Sequence, residues 1–307
     1  MIDVVLLGCG RWGTNHLHTL CKLRDQGIIS SVTVVDPNPK SIHGADNYSE
    51  TMDGVYGDLA IIATPSHMHT KQANQLLSEG FNVLVEKPLG YSEKDAAEVL
   101  ALANENGRVL GVGLLLRFHP GVAIAKKLIA NGTLGRLESM RFVRRTKRPP
   151  SNSSGVVVEA LGVHAIDLVC HLMGDSEPSA LYTEGDATDC RIIIEFPHAI
   201  EAIIDVAWLA NMERRYLKIT GSNATLRIDL DVHDKVILIQ NDDEMEIKCE
   251  TSISPLEAEI RHMITCVKAQ LNGKTWSTIP SPGAALRGVR WTERAKDSLP
   301  DPFPGIH

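Results

Sequence analysis

The stretch that most constrains this chain is Gly8-Cys9-Gly10-Arg11-Trp12-Gly13, which directly follows the apolar run Val4-Val5-Leu6-Leu7. An apolar run of that length ending on glycines reads as a buried parallel strand that turns sharply into a helix. In a dinucleotide fold the first glycine permits the tight turn and the second lets the backbone approach a pyrophosphate. The third lets the helix pack closely on the strand. Backbone N–H groups at the helix start then face the phosphates, with the positive end of the helix dipole behind them. The glycine pattern by itself also fits a structural turn in an α/β sheet. Here a helical stretch, Thr14 to Leu23, follows it, and a second apolar run, Val32-Thr33-Val34-Val35, ends in Asp36. A carboxylate there accepts from the adenosine ribose hydroxyls and repels a 2′-phosphate, so NAD is the expected cofactor and NADP the less favoured one.

The pattern then repeats. Pro37 to Gly57 is rich in turn formers and reads as loop. Leu59 to Ala63 is a strand halted at Thr64-Pro65, and Lys71 to Glu79 is a helix ending at Gly80. Phe81 to Val85 is a strand running into Glu86-Lys87-Pro88, and the helix Glu93 to Asn106 and strand Val109 to Leu116 follow. Strands alternating with helices at this spacing give a doubly wound parallel sheet. At Arg117-Phe118-His119-Pro120 the character changes, so the expected division is residues 1–117 and 118–307. The second part shows a helix (Val122 to Asn131), a strand (Leu137 to Thr146), a loop (Pro149 to Gly155) and a helical region (Glu159 to Met173). Seven short strand candidates follow between Leu181 and Glu250, and two helices close the chain at about Pro255 to Gln270 and Pro282 to Ser298. This is an α+β domain with a large, mostly antiparallel open sheet.

With 307 residues, 43% hydrophobic and 22% charged, the composition is that of an ordinary globular protein of about two domains. The net charge of −7 gives no support for a nucleic-acid partner. The one basic run, Arg144-Arg145-Thr146-Lys147-Arg148, reads as a solvated strand end or as a contact for an anionic small molecule. Six scattered cysteines without C-x-x-C spacing indicate reduced thiols rather than disulfides or zinc ligands, and no metal site is expected. With no signal-like N-terminus and no apolar run of membrane-spanning length, the expectation is a cytoplasmic protein without a membrane partner.

Five markers in order resemble the glucose–fructose oxidoreductase, inositol dehydrogenase and MocA family. They are the glycine turn, Thr64-Pro65 with His69, Glu86-Lys87-Pro88, Arg117-Phe118-His119-Pro120, and Gly162-Val163-His164-Ala165-Ile166-Asp167. The resemblance covers essentially the whole chain. It implies a Rossmann domain, a nicotinamide cofactor lying between it and the second domain, and a homo-oligomer (dimer or tetramer) assembled through the open sheet. On this basis Gly8, Gly10, Arg11, Trp12, Gly13, Asp36, Thr64, Pro65, His69, Glu86 and Lys87 are cofactor-binding candidates. Pro88 is expected to follow a cis peptide.

Lys87 stands at the carboxyl end of a parallel strand, where it can hydrogen-bond a substrate oxygen and stabilise alkoxide-like charge. His164 and Asp167 share a helix face; the resemblance implies that His164 is the general base and that Asp167 holds substrate hydroxyls. Arg117, His119 and Glu159 are substrate-side candidates. His16 and His18 read as solvent or packing residues. One departure stands out. The family's aspartate four residues before the histidine is Ala160 here, and on a regular helix Glu159 would lie about 140° away from His164. Glu159 replaces it only from a loop preceding the helix.

The resulting expectation is an NAD(P)-dependent oxidoreductase acting on a secondary hydroxyl of a sugar or sugar derivative. Trp208 to Arg215 resembles the sugar-nucleotide branch, with Arg214 and Arg215 suited to a diphosphate or carboxylate, so a nucleotide-linked hexosamine or uronate is favoured. An inositol or polyol dehydrogenase, an NAD-dependent glycosidase and a non-enzymatic NAD-binding regulator remain open alternatives.

Overall fold

The computed structural model describes residues 1–38, 43–150, 155–251 and 253–299. The chain divides into two compact units, one comprising Met1–Leu114 with Leu256–Val289 and the other Leu115–Pro255 with the segment from Arg290.

The first unit is built on six parallel strands in the order β3-β2-β1-β4-β5-β6. They are β1 (Asp3–Leu7), β2 (Ser31–Val35), β3 (Asn47–Ser49), β4 (Leu59–Ile62), β5 (Asn82–Glu86) and β6 (Leu110–Gly113). The strands read as unbroken apolar runs because helices cover both faces of such a sheet. Val4 to Leu7 and Leu59 to Ile62 are buried throughout. Helix α1 (Arg11–Asp25) presents Gly13, Leu17, Leu20 and Leu23 to the sheet at helical spacing. Two further helices, α2 (His69–Ser78) and α3 (Glu93–Glu105), pack against one another. Asn47–Ser49 forms a short edge strand inside the stretch read as loop.

The expected division at 117/118 differs from this arrangement chiefly at the C-terminal end. Helix α6 (Pro255–Leu271) buries Ile260, Met263, Ile264 and Val267 in one cluster with Leu6, Leu20, Val32 and Leu84. Its apolar stripe thus completes the first unit, although the chain reaches it only after the whole second sheet.

The second unit is an eight-stranded sheet in the order β14-β13-β12-β11-β7-β10-β9-β8. Its strands are β7 (Leu137–Arg145), β8 (Ala180–Gly185), β9 (Asp189–Phe196), β10 (Ile200–Ala207), β11 (Arg214–Gly221), β12 (Thr225–Asp229), β13 (Lys235–Gln240) and β14 (Asp243–Lys248). Only the β7–β10 pair is parallel. Alternating burial along β7, β9 and β10 gives one face packed by Met140, Phe142, Ile192, Ile194, Ala202 and Ile204. Helices α4 (Pro120–Ala130) and α5 (Val163–Leu172) contribute Val122, Ala125, Ile166 and Val169 to the same core. The unit boundary falls within α7 (Pro282–Asp297), and Trp291 and Ala295 join the second core. Most of the loop read between residues 149 and 155 lies outside the described residues.

The tightest point of the first unit is the glycine turn. Gly8 has φ +82°, a conformation that costs a glycine little. A Cβ on Gly13 would lie 2.2 Å from the Gly8 carbonyl oxygen, so α1 approaches the turn at a distance that only glycine permits. We expect Gly13→Ala to lose about 1–3 kcal/mol of unfolding free energy by chemical denaturation, the size of an overpacking penalty. NAD affinity should fall with it, because α1 must back away from β1.

Candidate active site and cofactor cradle

The start of α1 leaves unpaired donors. Thr14 N–H is the first to bond within the helix, to Gly10 carbonyl oxygen at 2.9 Å. The N–H groups ahead of it are the unsatisfied donors of a helix N-terminus. Gly10 supplies no side-chain cap, and a Cβ built on it would meet open space. At the end of β2, Asp36 is held by two backbone donors, Cys9 N–H at 2.8 Å and Asn38 N–H at 2.9 Å. An anion fits over the helix start, and a ribose fits at the oriented carboxylate. This donor set therefore suits a dinucleotide.

His69, which follows β4, does not reach outward. Its ring is buried, with Nδ1 2.9 Å from the Pro88 carbonyl oxygen and Nε2 2.9 Å from that of Thr64. It ties the loop after β4 to the loop after β5. Thr64 in turn bonds Gln72. The Lys87–Pro88 peptide is cis.

Glu86, the last residue of β5, is the centre of the unit's polar interior. Its Oε1 accepts from His16 Nε2 at 2.8 Å and from Trp12 Nε1. Trp12 and His16 are one turn apart on α1, so both point at the same carboxylate. Burial raises the pKa of Glu86, but His16, Trp12 and the Lys87 charge outweigh it and hold the group below the ordinary carboxylate range. Lys87 is half-buried, and burial pushes its ammonium below the usual lysine value against the opposing pull of Glu86. The expectation for His16 is thus corrected: it is fully buried and bonded to Glu86. His18, two residues on, is exposed as expected.

A second carboxyl group escaped the sequence reading. Glu259 on α6 is buried, and neither oxygen has a hydrogen-bond partner among the described residues. Burial first, and the Glu86 charge second, raise its pKa well above the usual range. The signal was present in its spacing. Glu259 falls three residues after Leu256 and four before Met263, on the stripe that is otherwise apolar.

In the second unit the substrate-side candidates have specific partners. Arg117 is buried, and both oxygens of Asp167 are engaged by it, Oδ2 with Nε at 2.8 Å and Oδ1 with Nη2 at 2.6 Å. Asp175 Oδ1 accepts from the same Nη2 at 2.9 Å, and His171 Nδ1 lies 2.9 Å from Nη1. Burial lowers the Arg117 pKa, but the two carboxylates more than restore it. The bidentate pair fastens α5 to the turn before α4.

Glu159 lies in neither a loop nor an α-helix. Val158–Gly162 is a π turn leading into α5. The Glu159 oxygens accept from Lys296 Nζ at 2.8 Å and Val156 N–H at 3.2 Å. Those bonds account for the carboxylate without His164, which is half-buried in the first turn of α5. His119 caps α4, its Nδ1 accepting from Gly121 N–H at 3.1 Å. Among the described residues no group of three His, Cys, Asp or Glu side chains is placed to hold a metal ion, and no helix is long and apolar enough to cross a membrane.

Glu259 yields a pH-dependent prediction. Folded, it keeps a proton that the unfolded chain releases above its ordinary carboxyl pKa. Stability from this group is therefore present in full below that value and is lost as pH rises towards the folded pKa. The slope is at most about 1.4 kcal/mol per pH unit. Glu259→Gln removes the linkage. By urea denaturation the variant should gain on the unmodified protein as pH rises from about 5 to about 8. A difference that does not change with pH would contradict the assignment.

Comparison with known proteins places these features in a family. Residues 2–114 match the model of the oxidoreductase family with an NAD-binding Rossmann fold, and residues 122–227 match the GFO/IDH/MocA C-terminal domain. A 2,7-anhydro-N-acetylneuraminate hydratase of Mediterraneibacter gnavus is 26% identical over 75% of this chain and 67% of its own length. An inositol 2-dehydrogenase of Mycolicibacterium smegmatis is 30% identical over 59% of this chain and 55% of its own. The matched stretch spans between about half and two thirds of these relatives' length. Among solved structures, a levoglucosan dehydrogenase in complex with NADH and levoglucosan superposes with a TM-score of 0.81 at 19% identity, covering 97% of this chain and 96% of that one. The UDP-N-acetylglucosamine 3-dehydrogenase of Acidithiobacillus ferrooxidans gives 0.80 at 17% identity, with 97% of each chain covered. With both domain models matched in order along its length, the chain belongs to the Gfo/Idh/MocA oxidoreductase family, with an N-terminal NAD-binding Rossmann domain.

Proposed function

We propose that the protein is an NAD-dependent oxidoreductase acting on a secondary hydroxyl of a sugar or polyol. The observation that carries this reading is Lys87 at the carboxyl end of β5. It lies beside a carboxylate anchored to the very helix whose N-terminus fits a pyrophosphate. Gly8, Gly10, Arg11, Trp12 and Gly13 form the turn and first helical residues of that cradle, Asp36 takes the adenosine ribose, and Thr64 and Pro65 edge the loop after β4. The Asp36 charge favours NAD over NADP. When bound, NAD+ supplies the hydride acceptor.

The protein's own groups handle the proton and the developing charge. Lys87 donates a hydrogen bond to the substrate oxygen as that oxygen gains negative character. Burial of its ammonium strengthens this contact, and Glu86 opposes the lowering of the lysine pKa that burial causes. His164 accepts the hydroxyl proton, as imidazole does near neutral pH. Glu86, His16 and His69 act as positioning residues by fixing the loop that carries Lys87. Asp167 and Arg117 position α5. For assembly, we propose a homo-oligomer formed through the outer face of the second sheet, where Tyr182, Ile193 and Ile203 are neighbours in register.

The hydratase similarity favours a second reading, in which the substrate is oxidised transiently and the cofactor returns to its starting state. Release of stoichiometric NADH separates the two. A panel containing myo-inositol, levoglucosan and UDP-N-acetylglucosamine, followed by NADH absorbance, tests the first directly. With a substrate in hand, Lys87→Ala should lower kcat by about 10²–10³ while NAD affinity stays within a few-fold. His164→Ala should lower kcat by about 10²–10⁴ and flatten the acidic limb of the pH profile. Unchanged turnover in either variant would remove that residue from the chemistry.

A further inference from the structure

Glu259 has no part in that scheme, but the register of α6 on the first sheet carries it to the residue before Lys87. The far end of the helix is tied to the strand starts. Gln270 Nε2 donates to the Gly107 carbonyl oxygen at 3.1 Å, and Gln270 Oε1 accepts from Asn82 Nδ2 at 3.4 Å. Seven residues earlier, Met263 fills the space left by Gly111 on β6, where any Cβ would run into its Sδ. Each step back along α6 therefore climbs towards the carboxyl ends of β5 and β6. Four residues of helix advance about 6 Å, and two residues of strand about 6.6 Å. Glu259, four before Met263, thus comes over Gly113, two after Gly111 on the same strand face. Gly113 pairs with Glu86 in register, and its missing side chain leaves the space beside Glu86 Oε2. The two carboxyl groups face one interior with no side chain from Gly113 between them.

The charged groups around Glu259 are few. Glu86 on β5 is the one whose charge acts on it. His16 on α1 is bonded to that same Glu86, and Lys22 of the same helix is bonded to Glu257. On α6 itself Arg261 is bonded to Glu257, and His262 lies beside Cys266 and Ser277. Strand β6 carries no titratable side chain. Glu86 is likewise the charge that acts on Lys87. Burial and the Glu86 charge push proton loss from Glu259 to higher pH, and burial pulls that of Lys87 to lower pH. The two titrations approach one another from opposite sides, with Glu86 adjoining both.

We infer that Glu259 is a positioning residue for Lys87: neutral at working pH, it loses its proton to solvent as pH rises, and the second carboxylate then holds the proton on the Lys87 ammonium. The inference deepens the dehydrogenase reading and rests on it, because a charged Lys87 is what meets the developing alkoxide. A single negative charge at neutral pH spares the interior the cost of two. The second arrives where Lys87 would otherwise give up its proton.

Competitive acylation of Lys87 on the NAD-free protein, from about pH 6 to about pH 10, tests this without a substrate. In the unmodified protein, loss of one proton makes loss of the other harder, so the Lys87 curve should be broader than a one-proton titration. Glu259→Gln fixes the neutral form. Its curve should narrow to one proton, and the upper half should move down by about half to one pH unit, the effect of one charge in a poorly solvating interior. With a substrate in hand, the alkaline limb of kcat should move down by a similar amount in the variant. A purely structural role would change the unfolding free energy and leave both curves in place. Because a variant at a buried position can fail to fold, the unmodified protein also decides alone. A one-proton Lys87 curve there would overturn the inference, and so would coincident curves in the two proteins. The expected acylation curves with no NADH from any substrate would overturn the dehydrogenase reading, and the catalytic role of Glu259 with it, while its coupling to Lys87 stood.

Discussion

A buried carboxylate is tolerable only when it is fully partnered, and Glu86 meets that condition by tying the first helix to the end of β5. His16 and Trp12 come from the helix that begins at the glycine turn, and the lysine next in sequence stands at the mouth of β5. Removing one partner of such a group leaves charge in a poorly solvating interior, which costs about 3–5 kcal/mol. The contact therefore constrains more than itself. The helix that would meet the pyrophosphate cannot shift without disturbing the residue before Lys87. Gly113, opposite Glu86 on β6, leaves the room required, since a Cβ there would lie 3.0 Å from Oε2.

Glu259 shows the opposite solution to the same problem. With Glu86 holding the negative charge, a second buried carboxyl group in the same interior stays neutral. The two glutamates thus have pKa values driven apart by one field, and a single ionised group remains beside the lysine. In the second unit the Arg117 charge is met by direct pairing with Asp167 and Asp175, beside His171.

Much of the architecture was legible because it follows from local chemistry. The glycine turn, the unbroken apolar strands and the proline and glycine stops led to the parallel sheet, and alternating patterns led to the antiparallel one. The membership of α6 in the first unit was not legible, because periodicity shows which face a helix buries but not against what. Side-chain pairing failed for a similar reason. His16 read as a solvent or packing residue because its partner lies 70 positions away. The substrate role of Asp167 came from the family resemblance, and its pairing with Arg117, 50 positions away, was not visible in the sequence. Glu159 was framed as a choice between loop and α-helix, and the π turn is a third answer that residue propensities do not signal.

The central physical claim is that Glu86 tunes Lys87, and it can be tested without knowing the substrate. Competitive acylation of Lys87 across pH, read by mass spectrometry on the NAD-free protein, reports the titration of its amine. In the unmodified protein Lys87 should titrate below ordinary lysines, because burial outweighs the help of Glu86. In Glu86→Gln, which keeps a hydrogen-bond acceptor but removes the charge, the titration should move lower still. An identical titration curve in the two proteins, or a shift to higher pH in the variant, would contradict the claim.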